Sequence, residues 1–316
     1  MTTTARLRAF VAVAEAGSVR VAAQRLVVTE SAVSAAVAAL TREVGVPLVE
    51  RVGRGLCLTP SGQTYADYAR TILGLHDEAL TAARGDVDPE RGRVRVAAVT
   101  TAGEHVLPTV IAGFLAHHPG VDLGLEVGTS EQVWGLLSAH EADLVIAGRP
   151  PSGLDDVVVR AVRPNELVVV AAPGPAEDFD LGRTTWLLRE AGSGTRVTCE
   201  ALLAGLEVDP PQLTLGSNGA VVAGAVAGLG ATLVSRDAVA RHLATGELVE
   251  VTVPGTPLRR PWHAVTHART SASTTLLLDY LLHDGDDRTA GWRRPPRAGS
   301  PARSTRRGVR GSGPQT

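Results

Sequence analysis

The side chains able to do covalent or acid–base chemistry are sparse and poorly matched to one another. All 31 Lys/Arg positions are arginine, because lysine is absent from the 316 residues. A Walker-type phosphate loop, a Schiff base to pyridoxal phosphate or an aldol substrate, and protein-kinase phosphoryl transfer each require an amine, so these classes are excluded. Ser193 stands in Gly-Ser-Gly, not in the Gly-x-Ser-x-Gly turn that exposes a hydrolase nucleophile. His117 and His118 precede Pro119-Gly120 at a helix end, where a cation complements the dipole. His267 and Asp279 have no spacing that sets them beside Ser193. Cys57 and Cys199 lie far apart without a Cys-x-x-Cys spacing and read as free buried thiols. No catalytic residue, metal ligand or cofactor is assigned, and the chain is expected not to be an enzyme.

Binding chemistry is better represented. Small polar residues recur where a strand gives way to a helix: Thr100-Thr101, Thr129-Ser130, Ser193-Gly194-Thr195 and Ser217-Asn218. Helix N-termini offer unpaired N–H groups and a positive dipole end, so several converging on one cleft would hold a small anion or carboxylate. Any one of them also reads as a simple cap; their repetition favours a ligand. Thr100, Thr101, Ser130, Ser193, Thr195 and Asn218 are the expected ligand-facing residues, with Arg196 a lesser candidate.

Charge is sorted along the chain. Residues 1–62 hold seven arginines against four acids, residues 63–287 hold sixteen against twenty-nine, and residues 288–316 hold eight arginines and no acid. Basic ends around an acidic middle place polyanion contacts at the termini. No stretch approaches the roughly 18 apolar residues of a membrane helix, and the apolar run at 7–14 is broken by Glu15. A cytoplasmic chain without a membrane partner is expected.

The elements that must position these residues follow from periodicity. Leu7, Phe10, Val11 and Ala14 share one helical face, as do Val19, Ala22, Ala23 and Leu26, and then Val33, Ala36, Val37, Leu40 and Val44 behind an N-cap at Ser31. Three short helices with a tight turn between the second and third make a helix-turn-helix. Two extended pieces at 49–52 and 56–59 enclose Gly53-Arg54-Gly55, a basic hairpin tip. Thr59-Pro60 opens a long helix in which Tyr65, Tyr68, Ile72, Leu75, Ala79 and Ala82 form a narrow seam suited to a partner helix. Beyond Gly85, Pro89 and Gly92, strands and helices alternate as βαβ units around a mainly parallel sheet, in two lobes of about 90 residues. The expected division is 1–60, 61–91, 92–285 (first lobe 92–162 with 267–285, second lobe 163–266), and a disordered Arg/Pro/Gly-rich tail at 286–316.

The stretch Leu7-Arg8-Ala9-Phe10-Val11-Ala12-Val13-Ala14-Glu15-Ala16-Gly17-Ser18, with Ala22-Ala23, Leu26, Thr29-Glu30-Ser31-Ala32-Val33-Ser34, Leu40, Gly45-Val46-Pro47-Leu48, Arg51, Gly53-Arg54-Gly55 and Leu58-Thr59-Pro60-Ser61-Gly62, closely resembles the LysR-type transcriptional regulators. Thr100-Thr101-Ala102-Gly103-Glu104, Leu188-Arg189-Glu190-Ala191-Gly192-Ser193-Gly194-Thr195-Arg196 and Gly224-Ala225-Val226-Ala227-Gly228-Leu229-Gly230 resemble the subgroup that regulates carbon-fixation and cysteine-biosynthesis operons.

The resemblance implies an α/β fold class with an N-terminal all-α winged helix-turn-helix, a linker helix and a two-lobed effector domain of the type II periplasmic-binding-protein kind. It implies that the third helix enters the major groove, with Thr29, Ser31 and Ser34 facing phosphates and base edges, Arg51 meeting a phosphate or bracing the wing, and Arg54 reaching a minor groove. Glu30 stands where the family commonly has glutamine, and a carboxylate there repels phosphate. The implied partners are double-stranded operator DNA, a small-molecule effector, a second or further copies in a homodimer or homotetramer, and RNA polymerase. Two other readings remain: a solute-binding or enzyme relative of the two-lobed fold, which has no use for a wing, and a DNA binder that senses no ligand.

Overall fold

The computed structural model describes residues 2–53, 55–85, 88–154, 156–174, 179–283 and 291–296. Arg54 and residues 297–316 lie outside them.

Helix α1 (Thr4–Ala16) begins where the Thr3 hydroxyl accepts the Arg6 N–H, and it stops at Gly17 in the left-handed region. Helix α2 (Val19–Leu26) is capped by Ser18 and α3 (Glu30–Val44) by Thr29. The cap of α3 therefore falls two residues before the expected Ser31: the Thr29 hydroxyl takes the Ala32 N–H at 3.2 Å, and Glu30 in the first turn complements the dipole. The axes of α2 and α3 bend by 109° across their short turn, a helix-turn-helix angle. Phe10, Val33, Leu40 and Leu48 fill the core between the three helices. Strands β1 (Val49–Val52) and β2 (Gly55–Leu58) form an antiparallel hairpin, pinned to the rest by the Leu56 N–H donating to the Gly17 carbonyl at 3.0 Å.

Helix α4 (Pro60–Gly85) is launched by Thr59, whose hydroxyl accepts the Gly62 N–H at 2.9 Å and donates to the Pro47 carbonyl at 2.7 Å. Its first turns bury Ala66 and Ala69 against α1. Tyr65, expected on the exposed seam, turns inward and meets the edge of Phe10 at 5.7 Å.

The remaining elements are β3 (Arg93–Val99), α5 (Thr100–His105), α6 (Leu107–His117), β4 (Asp122–Gly128), α7 (Ser130–Ser138), β5 (Leu144–Ala147), β6 (Val157–Arg163), β7 (Glu166–Ala171), β8 (Trp186–Leu188), α8 (Gly194–Gly205), β9 (Gln212–Thr214), α9 (Asn218–Val226), β10 (Thr232–Ser235), α10 (Arg236–Thr245), β11 (Val249–Val251), β12 (Leu258–Arg259), β13 (Trp262–His267) and α11 (Ala272–Leu281). The first lobe is a five-stranded sheet in the order β4-β3-β5-β13-β6. In the second, β7 pairs with β10, β11 and β12, and the parallel pair β8-β9 is joined to the neighbourhood of β10 through a bridge between Trp186 and Ala231.

Two expectations are corrected here. Neither main sheet is mainly parallel as expected: the first is mixed, because β13 runs antiparallel to β5 and β6, and in the second every partner of β7 is antiparallel. The chain also returns to the first lobe at Trp262, not at 267, because β13 completes that sheet. The two crossings between lobes are thus the Pro164-Asn165 and Arg260-Pro261 steps. They are tied together: the Arg260 N–H donates to the Asn165 carbonyl and the Asn165 side-chain amide donates to the Arg260 carbonyl, both at 2.9 Å. After α11, Trp292 buries itself in the first-lobe core and Arg293 exchanges two backbone hydrogen bonds with Val162 on β6.

Candidate functional site

The parallel strands β3 and β5 end at the same edge of the first sheet, and the loops that leave them face the second lobe. Thr100 and Thr101 follow β3, Thr129 and Ser130 follow β4, and Gly148 follows β5. From the other side come Arg189 at the end of β8 and Ser193-Gly194-Thr195 at the start of α8. Together they line a narrow cavity between the lobes.

Five of the six expected residues, Thr100, Thr101, Ser130, Ser193 and Thr195, border this cavity. Asn218 does not. It is buried behind the wall, where its side-chain oxygen accepts from Arg189 Nη1 at 3.2 Å. Arg196 also faces elsewhere, donating to the Arg189 carbonyl at 3.1 Å and to Glu200 at 2.8 Å. Several hydroxyls already have local work: Ser193 accepts the Arg196 N–H, and Thr129 and Gln132 form a reciprocal capping box at the start of α7.

Sequence reasoning missed the two cations of the cavity. Arg189, its side chain 6% exposed, grips Glu190 with two hydrogen bonds of 2.6 and 2.8 Å. Its Nη2 also donates to the Thr100 hydroxyl at 3.4 Å, so one guanidinium touches both lobes. This grip holds the Glu190 carboxyl below the usual carboxylate range. Arg260 rises from the second crossing, and no hydrogen bond or ion pair to its guanidinium is formed among the described residues. Burial makes its charge harder to keep, lowering its proton affinity. Among the described residues, the lining includes these two arginines and no Asp or Glu. Arg189 lay in a stretch singled out for its resemblance, whereas Arg260 was hidden because β12 and β13, which define its crossing, carry no strong alternation.

At the other end of the molecule, Val33, Val37 and Leu40 turn the inner face of α3 to the core, which leaves Ser31 and Ser34 exposed on the outer one. Thr29 is exposed but committed to capping, with its hydroxyl also 3.0 Å from Ser31 Oγ. Arg51 is exposed on β1 with no ion pair among the described residues, and the expected contact of Arg54 lies outside them.

The family model "LysR substrate binding domain" matches residues 88–285, and that of the "bacterial regulatory helix-turn-helix protein, lysR family" matches residues 4–63. The chain belongs to the LysR family. It is 36% identical over 270 residues to the HTH-type transcriptional regulator CbbR of Rhodospirillum rubrum, spanning 82% of this chain and 88% of that one. To the RuBisCO operon transcriptional regulator of Acidithiobacillus ferrooxidans it is 33% identical over 290 residues, 88% of this chain and 92% of that one. Among solved structures, the Synechocystis PCC6803 CcmR regulatory domain in complex with 2-PG is 30% identical, with a TM-score of 0.55 over 60% of this chain and 94% of that chain.

In this LysR regulator the helix-turn-helix is the DNA-binding element and the two-lobed part the effector-binding domain. Cys199 is buried and its thiol pushed up to about 12 by burial, while Cys57, contrary to expectation, is exposed on β2. Both are free thiols. Among the described residues, no single helix is long and apolar enough to cross a membrane.

Proposed function

We propose that this LysR regulator binds duplex operator DNA as a cytoplasmic homodimer or higher oligomer and changes its action on RNA polymerase when a small anionic metabolite fills the interlobe cavity. Ser31 and Ser34 on the exposed face of α3 would meet the major groove, with Thr29 setting the start of that helix, Arg51 meeting a phosphate or bracing the wing, and Arg54 reaching a minor groove. The exposed apolar stripe of α4 supports association of two copies. The observation that carries the effector reading is the cavity itself: hydroxyls from three helix starts and two guanidinium groups converge there, without a carboxylate in the lining. A carbon-fixation operon is the favoured target, supported by the kinship with the RuBisCO operon regulator and by the 2-PG held by the CcmR domain.

The test is a thermal-shift screen of the full-length protein against small phosphorylated and carboxylic acids, followed by gel-shift titration with any acid that binds. A hit should raise the melting temperature of the wild type, and Ser193→Ala with Thr195→Ala should lose that rise while DNA affinity stays unchanged. A protein that binds DNA but is stabilised by none of these acids would be the ligand-independent binder instead.

A further inference from the structure

Arg260 is the unbalanced charge of the cavity. Its backbone is fixed at the hinge by the paired hydrogen bonds with Asn165, which is itself held by the Ser235 hydroxyl at 2.6 Å. From that fixed base the guanidinium lies between two glycines from opposite lobes. A Cβ added at Gly194 would stand 2.5 Å from Nη2, and one added at Gly148 would stand 3.3 Å from it. The side chain thus occupies a slot that exists because both positions lack a side chain.

What surrounds that slot is electropositive. Gly194 opens α8, a helix of 12 residues whose N-terminal dipole end carries partial positive charge. Arg189, the other cation, is already neutralised by Glu190. A desolvated arginine cannot escape its charge by releasing a proton at ordinary pH and is costly when unpaired. A guanidinium and a helix N-terminus sharing one void, with no acid in the wall, is an arrangement completed by an oxyanion, which a guanidinium can bind through two parallel N–H groups.

We propose that Arg260 is the specificity-determining residue of the cleft, selecting effectors that carry a compact oxyanion group, a phosphate or a carboxylate, and binding that group through its guanidinium beside the Ser193-Gly194 turn. This rests on the reading of the cleft as the effector site. Because Gly148 belongs to the first lobe and Gly194 to the second, an anion bound there touches both halves beside the hinge. The hydroxyls of Thr100, Thr101 and Ser130 remain for the rest of the ligand.

Calorimetric titration of the full-length protein with inorganic phosphate, sulfate and acetate, at ionic strength held constant with chloride, tests this in wild type, Arg260→Gln, Arg260→Lys and Thr101→Val. At least one anion should bind the wild type, with phosphate against acetate telling which group the slot prefers. Arg260→Gln should weaken that binding about ten- to a hundredfold, and Arg260→Lys should restore part of it. In chloride alone Arg260→Gln should melt no lower than the wild type, since it removes an uncompensated, partly buried charge. A lower melting temperature would mean that the guanidinium props the lobes apart structurally, which overturns the proposal. If Thr101→Val weakens binding and Arg260→Gln does not, the cleft remains the effector site and Arg260 is not its selector. If neither variant changes binding, the anion sits elsewhere and both readings fall. A wild type that takes up none of the three anions also overturns the oxyanion assignment.

Discussion

At the scale of single residues, the turn between α2 and α3 contains a conformation its side chain does not favour. Val27 caps α2 at φ 56°, in the left-handed region, and its side chain is 90% exposed. A β-branched residue there is an outlier whose strain, about 1–2 kcal/mol, no packing repays. Val27→Gly should therefore stabilise the protein by about 0.5–1 kcal/mol, less than the full strain because glycine loses more backbone entropy on folding. Chemical denaturation checks it, and an unchanged or lower midpoint would show that the turn tolerates valine without strain. The same scale shows what could be read from residue types alone. The hydroxyls at Thr100, Thr101, Ser130, Ser193 and Thr195 border the cavity as expected because each sits where a strand gives way to a helix, and these junctions gather at the edges where the two lobes meet. Asn218 obeys the same local rule yet lies behind the wall, since the rule fixes a position on its helix and not the neighbour it faces. Arg189 and Arg260 were not legible as site residues, because nothing local distinguishes an arginine aimed into a cleft from one on the surface.

At the scale of elements, α4 has two unlike faces. Ala66 and Ala69 are small and closed against α1, whereas Tyr68, Ile72 and Leu75 are 68%, 50% and 46% exposed. With Ala79, also exposed, these positions repeat at intervals of four, three and four, the spacing of a coiled-coil seam. Ile72→Glu with Leu75→Glu should leave the fold intact, since neither side chain is in the core, yet weaken self-association at least about a hundredfold. Each lost burial is worth about 1.5–3 kcal/mol. Sedimentation equilibrium reads the result; a variant that remains as associated as the wild type would put the interface on another face. Most helices and strands of the chain were legible because their apolar periods are strong, but α5 and the seven-residue β6 were not read from the sequence. Strands β11 and β12, of three and two residues, and β13, which contains two histidines, give no such period, and their position is set by pairing with β7 and β5. The antiparallel pairs that β13 adds to the first sheet, and β11 and β12 to the second, come from those late strands, so they were not legible either.

At the scale of the whole molecule, signals between DNA-binding and effector-binding parts must pass α4, and its contact with the first lobe is close and ionisable. Gly74 presses on the backbone of Ala139 and His140, where any side chain would collide. Glu78 takes a 2.6 Å hydrogen bond from His140 Nδ1, and the His140 ring stacks on His267 with centroids 3.8 Å apart. His267 Nε2 meets the Leu137 carbonyl at 2.8 Å, which requires the nitrogen to donate. Thr81, Asp143, Arg269 and Thr274 complete the surroundings, with Arg95 held on Asp143. Burial lowers the proton affinity of His267 below the ordinary 6.5, the neighbouring His140 adding to the effect while the Leu137 carbonyl, Glu78 and Asp143 oppose it. A histidine with a depressed folded pKa contributes stability that is present above 6.5 and is lost as the pH falls through the depressed value. The melting temperature should therefore fall between about pH 7.5 and 5.5. His267→Gln, which keeps a donor for Leu137 but does not titrate, should reduce that fall. His263, shifted in the same direction, adds to the fall, and Glu141, raised by burial, opposes it, in either protein. The measured quantity is accordingly the difference between wild type and variant. Parallel melting curves across that range would remove the stacked pair from any part in how stability follows pH, and with it the idea that acid loosens the join between α4 and the effector-binding domain.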